Sequence, residues 1–230
     1  MTTSAWWHRS ATTFAVLALA LIPAAPPAAA AAAPPAPAET TVSSQHRELP
    51  EPPPADVVRA ELDDLAVEAP HSMDGYSREK FPHWIKISGE CDTRETVLAR
   101  DGEDVLQDEL CRAVAGLWTS AYDGKSFTDA KQLDIDHMVP LAAAWRSGAD
   151  TWTTTKRRAF ANDLVHSQLI AVSAASNRSK GDKTPDAWRP PAASYWCTYS
   201  RAWTDTKHVY GLSVTEAEKN ALTEMLNTCA

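Results

Sequence analysis

Two short segments hold the residues best suited to chemistry, Leu133-Asp-Ile-Asp-His-Met-Val-Pro140 and Ser176-Asn-Arg-Ser-Lys-Gly-Asp182. In the first, Asp136 sets a carboxylate beside the His137 imidazole, and Pro140 forbids a regular helix running through. A carboxylate oxygen is a hard ligand suited to magnesium or manganese. A neutral imidazole, with an ordinary pKa near ~6.5, can take a proton at neutral pH. Alone, such a pair is more often a surface hydrogen bond than a site. In the second segment Asn177 offers a carbonyl oxygen to a metal, Arg178 and Lys180 offer positive charge to phosphate, and Gly181 keeps the backbone accessible. That stretch alone reads equally well as a polar helix cap and turn. Together the two segments contain what phosphodiester hydrolysis requires: oxygen ligands, a base and cations.

Neighbouring strand residues point to opposite faces, so Asp136 and His137 reach one site only where a strand ends or bends. The alternation of Leu133, Ile135 and His137 places the pair near the end of a strand within Gln132 to Leu141. The short apolar run Leu169-Ile-Ala-Val172 is expected as a buried strand returning beside it, and Ser176-Asn177 as the cap of a short helix. Residues 142–167 read as helix and loop, packed through Trp145, Trp152 and Phe160. Two Asp-Gly pairs upstream predict hairpins, because glycine reaches positive φ freely. One would join Thr96–Arg100 to Asp104–Gln107 around Gly102, the other Gly116–Tyr122 to Gln132–Leu141 around Gly124. Ser213-Val-Thr-Glu216 resembles a capping box before an amphipathic helix over Ala217 to Leu226.

Residues 1–33 read as a secretory signal peptide, with Arg9 near the start, the apolar run ATTFAVLALALI over 11–22, and several A-x-A cleavage choices after it. The apolar run is about half of the ~20 residues that cross a bilayer, so a soluble, extracellular product without stable membrane insertion is expected after cleavage. Ten of the 16 prolines fall between Pro23 and Pro54, a composition that favours a solvated linker. Residues 34–70 are read as this linker plus an opening helix carrying Val58, Leu62 and Leu65, and residues 71–230 as one catalytic domain. The four cysteines are expected to be oxidised in an exported chain. Of the three pairings, Cys91 with Cys111 and Cys197 with Cys229 is preferred because each staples a local unit. A zinc site is the weaker alternative, since no C-x-x-C pair exists.

The net charge of -8 argues against a nucleic-acid partner until its distribution is considered. Residues 34–70 hold eight acids and two bases, whereas residues 156–189, around the second segment, hold seven bases and three acids. Charge alone still favours an ordinary solvated face. Asp134 shares strand parity with Asp136 and has a cap or salt bridge as its commoner role. His83, His166 and His208 lack visible ligand partners. Among the tryptophans Trp188, close to Lys183, is the best candidate for stacking on a base, and Lys156-Arg157-Arg158 is as readily a solvated helix face as a phosphate contact.

The pattern D-x-D-H-x-V-P-L followed by S-N-R-S-K-G-D resembles the HNH, or beta-beta-alpha-metal, endonucleases, and most closely the secreted bacterial HNH proteins related to the GmrSD-type domain. The similarity runs from about Tyr76 to Cys229. It implies an α+β fold: a beta-beta-alpha-metal core with an additional β-hairpin and flanking helices, with disulfides in place of the structural zinc of many relatives. It also implies that His137 is the general base, that Asp136 and Asn177 hold one divalent metal, Mg2+ ahead of Mn2+, and that Lys180 assists the charged phosphate. Arg178 and Lys183 would bind the nucleic-acid substrate, DNA or RNA, leaving a 5'-phosphate on the product. The middle asparagine of the HNH name is Gln168 here, and Asn162 is the candidate to take over its pinning of the loop.

Two other classes compete. A non-catalytic module binding nucleic acid or metal on the same scaffold would not need the base. A serine esterase or zinc protease would carry G-x-S-x-G or H-E-x-x-H, and neither is present. An immunity or inhibitor protein as partner is not readable from the chain.

Overall fold

The computed structural model describes residues 49–230, so the expected signal peptide and the linker up to residue 48 lie outside the described residues. The first helix, α1 (Ala55–Asp64), starts directly after Pro52-Pro53-Pro54 and buries Val58 and Leu62. These and Leu65 recur every three or four residues, so they fall on one helical stripe, which packs on the C-terminal helices.

Strands β1 (Lys86–Ser88) and β2 (Cys91–Asp92) form a small antiparallel pair, followed by α2 (Thr93–Asp101). The strand expected over Thr96–Arg100 is therefore helix. The Asp92 carboxylate accepts from the Glu95 backbone N–H at 2.8 Å and caps it. Thr93 and Val97, one helical turn apart, are buried together. Asp101-Gly102 ends that helix rather than turning a hairpin. The strand after it, β3 (Glu103–Gln107), pairs with β4 (Ala113–Thr119) through a turn held by Asp108, whose side chain accepts from the Leu110 and Arg112 N–H groups. The second expected hairpin is also replaced. Gly124, at φ 70°, turns β4 back onto the short β5 (Ser126–Phe127), not onto the segment bearing His137.

That segment forms β6 (Leu133–His137), which pairs antiparallel with β7 (Leu169–Ser173) over five residues, from Leu133 opposite Ser173 to His137 opposite Leu169. The returning strand is as expected. The insertion between them contains α3 (Leu141–Arg146) and α4 (Thr154–Ala161). After β7 comes α5 (Ala174–Lys180), capped by Ser173, whose hydroxyl accepts from the Ser176 N–H, so Ser176-Asn177 is inside the helix rather than at its cap. The C-terminal helices are α6 (Trp196–Tyr210) and α7 (Glu216–Leu226). The box that opens α7 is Thr215 with Glu218, two residues later than expected.

The result is a mixed α+β fold of small antiparallel sheets and seven α-helices among the described residues. Disulfides join Cys91 to Cys111 and Cys197 to Cys229, the preferred pairing. Each adds about 2 to 4 kcal/mol by restricting the unfolded chain. The β6–β7 ribbon is buried on both faces. Leu133, Ile135, Leu169 and Ala171 meet Val97, Leu98 and Trp118, while Ile170 and Val172 join the larger core around Tyr122, Phe160, Tyr199 and Trp203. Asp136, of opposite parity to Ile135, lies beside the larger core, where an unpaired carboxylate would be costly.

Candidate functional site

The end of β6 opens into a cleft of about 250 Å³ whose lining includes Asp136, His137, Asn177, Arg178 and Arg78. The strand end brings Asp136 and His137 to one cleft although their side chains leave opposite faces of the ribbon. Asn177 comes from α5, which starts directly after the last residue of β7.

Asp136 is 4% exposed, and its Oδ2 accepts two short hydrogen bonds, from the Tyr122 hydroxyl at 2.6 Å and from the Lys180 ammonium at 2.6 Å. Burial pushes the carboxyl upward, and Lys180 and Tyr122 pull the other way. Burial likewise lowers the Lys180 ammonium, opposed by Asp136. Burial thus moves both groups toward their neutral forms, and each charge is the other's principal compensation. Lys180 is fully buried and gives a further bond to the His137 carbonyl at 2.8 Å. Its expected contact with phosphate is therefore replaced by an internal one: Nζ is committed to the strand end.

His137 is 4% exposed, and its Nε2 lies 3.0 Å from the Ala161 carbonyl. A carbonyl only accepts, so Nε2 carries the proton and Nδ1 keeps its lone pair. Burial lowers the imidazole pKa to about 3, against the raising effect of that carbonyl, with Arg78 adding to the decrease. The ring is neutral at ordinary pH. Trp84 lies against it at 5.6 Å between centroids, on a backbone with φ 56°. For so bulky a residue this is a strained conformation, of order 1–3 kcal/mol.

Two amides fix the surrounding loops. Gln168 donates to the Val139 carbonyl and accepts from the Val139 N–H, both at 3.0 Å, clamping the turn after His137. Asn162, next to Ala161, accepts from the Ile85 N–H and the Thr93 hydroxyl and donates to the Pro82 and Arg158 carbonyls. All four of its bonding positions thus hold the loop that orients the imidazole.

Residues 92–225 match the family described as GmrSD restriction endonucleases, C-terminal domain. The chain belongs to this family. It is also 57% identical over 180 residues to an uncharacterized secreted protein of Arthroderma benhamiae, a match spanning 78% of this chain and 88% of that one. Like that relative, this GmrSD-family chain is secreted, and no helix among the described residues is long and apolar enough to cross a membrane. No solved structure matches it.

Within this GmrSD-family domain, Asp136, His137, Asn177 and Arg178 line one cleft. Lys183 is outside that lining, with its ammonium on the Ser179 carbonyl at 2.6 Å. Asp134 takes the Asn177 amide N–H at 3.1 Å and lies 3.6 Å from Arg178 Nε, a bridging role. Trp188 packs edge-on to Tyr122 and donates to Ser179 Oγ, so it is not a free stacking face. Arg157 is tied to backbone carbonyls of Lys80, Ala149 and Trp152, and Lys156 lies over Trp152. His166 is bonded to Asp163 and His83 to Phe81. Tyr122, Trp84 and Arg78 were not foreseen. Tyr122 immediately precedes the Asp123-Gly124 turn, a local hint of a positioned residue, whereas nothing near Trp84 or Arg78 in the chain points to β6.

Proposed function

We propose that this chain is a secreted endonuclease that hydrolyses phosphodiester bonds of DNA, with RNA the second substrate to test, by a one-metal mechanism on a beta-beta-alpha-metal core. The observation that carries the reading is a buried, neutral His137, with its proton held on Nε2 by Ala161, sharing a cleft with Asp136 and Asn177. The strand, insertion, strand and helix order of β6, β7 and α5 supports the same reading.

The donor set fits a hard divalent cation such as Mg2+ or Mn2+. Lys180 and Tyr122 converge on Asp136 Oδ2, leaving Oδ1 as the available carboxylate oxygen, and Asn177 gives its N–H to Asp134, leaving its carbonyl oxygen. Two protein oxygens completed by water and phosphate suit Mg2+, which keeps part of its hydration shell. Bound to Asp136 and Asn177, such an ion supplies charge stabilisation at the scissile phosphate. The protein's own share follows from its contacts. His137 Nδ1 accepts a proton from the attacking water, with the imidazole aligned by Ala161 and covered by Trp84. Lys180 and Tyr122 favour the ionised form of Asp136 against burial and hold it in one rotamer. Arg178 faces the substrate's negative charge from α5.

The test incubates the mature protein with plasmid DNA and with RNA in Mg2+, in Mn2+ and in chelator, beside His137→Ala. The expected outcome is metal-dependent nicking that His137→Ala reduces by at least about a hundred-fold, the lower range for general-base catalysis. Undiminished cleavage in chelator or by His137→Ala refutes the mechanism. Binding of nucleic acid with no cleavage under any condition supports a non-catalytic module instead.

A further inference from the structure

We infer that Arg78 forms a second phosphate subsite in the cleft, separate from Arg178, so that the cleft takes a polynucleotide with a phosphate beyond the scissile one. The inference rests on the nuclease reading above and adds the length of substrate that the cleft engages.

Arg78 opens a 3-10 turn, Arg78–Lys80, that lies outside both chemical segments yet forms part of the cleft lining. Its side chain is exposed and has no carboxylate within 4.0 Å among the described residues. Other arginines near the cleft differ. Arg146 is closed onto Asp182 at 2.7 Å, and Arg178 leans on Asp134. A guanidinium without an acidic partner beside a cleft that handles negative charge has its full bidentate capacity available.

The side chain is also aimed. His83 Nδ1 lies 2.8 Å from the Phe81 carbonyl and must donate to it, which leaves Nε2 to accept from Arg78 Nε at 3.3 Å. That bond occupies the inner edge of the guanidinium and leaves its two terminal nitrogens for a ligand. Arg178 enters the cleft from α5, beside Asp134, while Arg78 enters it from the 3-10 turn ahead of β1, so two separate elements present a guanidinium to the same cleft. A single phosphodiester bound at Asp136 and His137 brings one phosphate to these two cations, whereas a longer chain brings a neighbouring phosphate as well.

The measurement compares Arg78→Gln with the unaltered protein on a single-stranded 20-mer oligonucleotide and on bis(4-nitrophenyl) phosphate, which has one phosphodiester and no flanking phosphate. For the oligonucleotide, KM is expected to rise about ten-fold, the effect of one charge-assisted contact. The salt dependence of log KM should become shallower by about one unit. The loss on the small diester should be smaller by about the same ten-fold, and Arg78→Lys should recover part of the oligonucleotide KM. Equal losses on both substrates, or no loss on the oligonucleotide, overturn the subsite. Fluorescence anisotropy of the labelled 20-mer in Ca2+ gives a second reading without turnover. If the unaltered protein cleaves neither substrate, the nuclease reading has failed, and the anisotropy difference between the two proteins still decides whether Arg78 binds phosphate.

Discussion

Lys180→Met removes the ammonium that compensates Asp136 while keeping most of the side chain's apolar stem. In the structure Lys180 is fully buried and Asp136 nearly so, with 2.6 Å between Nζ and Oδ2 and 2.8 Å from Nζ to the His137 carbonyl. Breaking a buried ion pair from one side costs about 3–5 kcal/mol, because the remaining charge stays out of water. For a folded body of this size each kcal/mol lowers the melting temperature by about 2–4 °C, so a decrease of about 6–20 °C is expected at pH 7 in chelator. Circular dichroism with heat and with urea measures it. The pH dependence gives an independent check. Without Lys180, Asp136 loses the main influence opposing its upward shift. An acid whose folded pKa lies above its unfolded one is destabilising above that pKa and is relieved as pH falls through it, so the deficit of Lys180→Met should shrink on acidification. Adding Asp136→Asn should likewise restore at least about 1 kcal/mol, a coupling that independent sites do not show. A loss below about 1 kcal/mol at pH 7, or a deficit that grows on acidification, would refute the ion-pair account.

Tyr122→Phe deletes one hydrogen bond to the same carboxylate and is expected to cost about 1.5–3 kcal/mol in urea unfolding, with a cost under 0.5, about half of an ordinary neutral bond, counting against it. Gln168→Leu leaves the Val139 N–H and carbonyl without their side-chain partner. Hydrogen exchange at Val139 should accelerate at least about ten-fold, and unchanged protection means the backbone is held by something else. His137, with its pKa lowered to about 3, stays neutral as pH falls through the ordinary imidazole range. Its carbon-bound ring protons should therefore show no titration between about pH 5 and 8, where an unperturbed histidine shifts. A midpoint near 6.5 in the native protein disproves the buried, neutral form.

The legible parts of the chain were those whose pattern is local. Alternation over Leu133, Ile135 and His137 indicated β6, and the short apolar run at Leu169 indicated β7. The disulfide pairing also followed from nearness along the chain. Where one signal admits two geometries, the reading went astray. Asp101-Gly102 can end a helix as well as turn a hairpin, and the Asp92 cap with buried Thr93 and Val97 decided for the helix. Lys180 was read as a cation for the phosphate because it stands beside Arg178 in a polar, basic segment. Its burial depends on Asp136, 44 residues away, and on the turn of α5 that directs Nζ inward. Tyr122 is an ordinary residue in sequence whose role exists only through Asp136, and Asn162, a candidate for pinning the loop from sequence, has partners that only the fold brings to it.

Asn162 is fastened to Thr93, two residues beyond the oxidised Cys91, and it adjoins the Ala161 carbonyl that holds the imidazole. The imidazole therefore hangs from a covalent anchor through a short series of bonds, like a bracket bolted to a frame. Arg78, also in the cleft lining, is steadied by a single histidine. Stiffness is distributed unevenly across the cleft, so on the proposed function the adjustment to an arriving chain falls on the Arg78 guanidinium while the His137 imidazole keeps its aim.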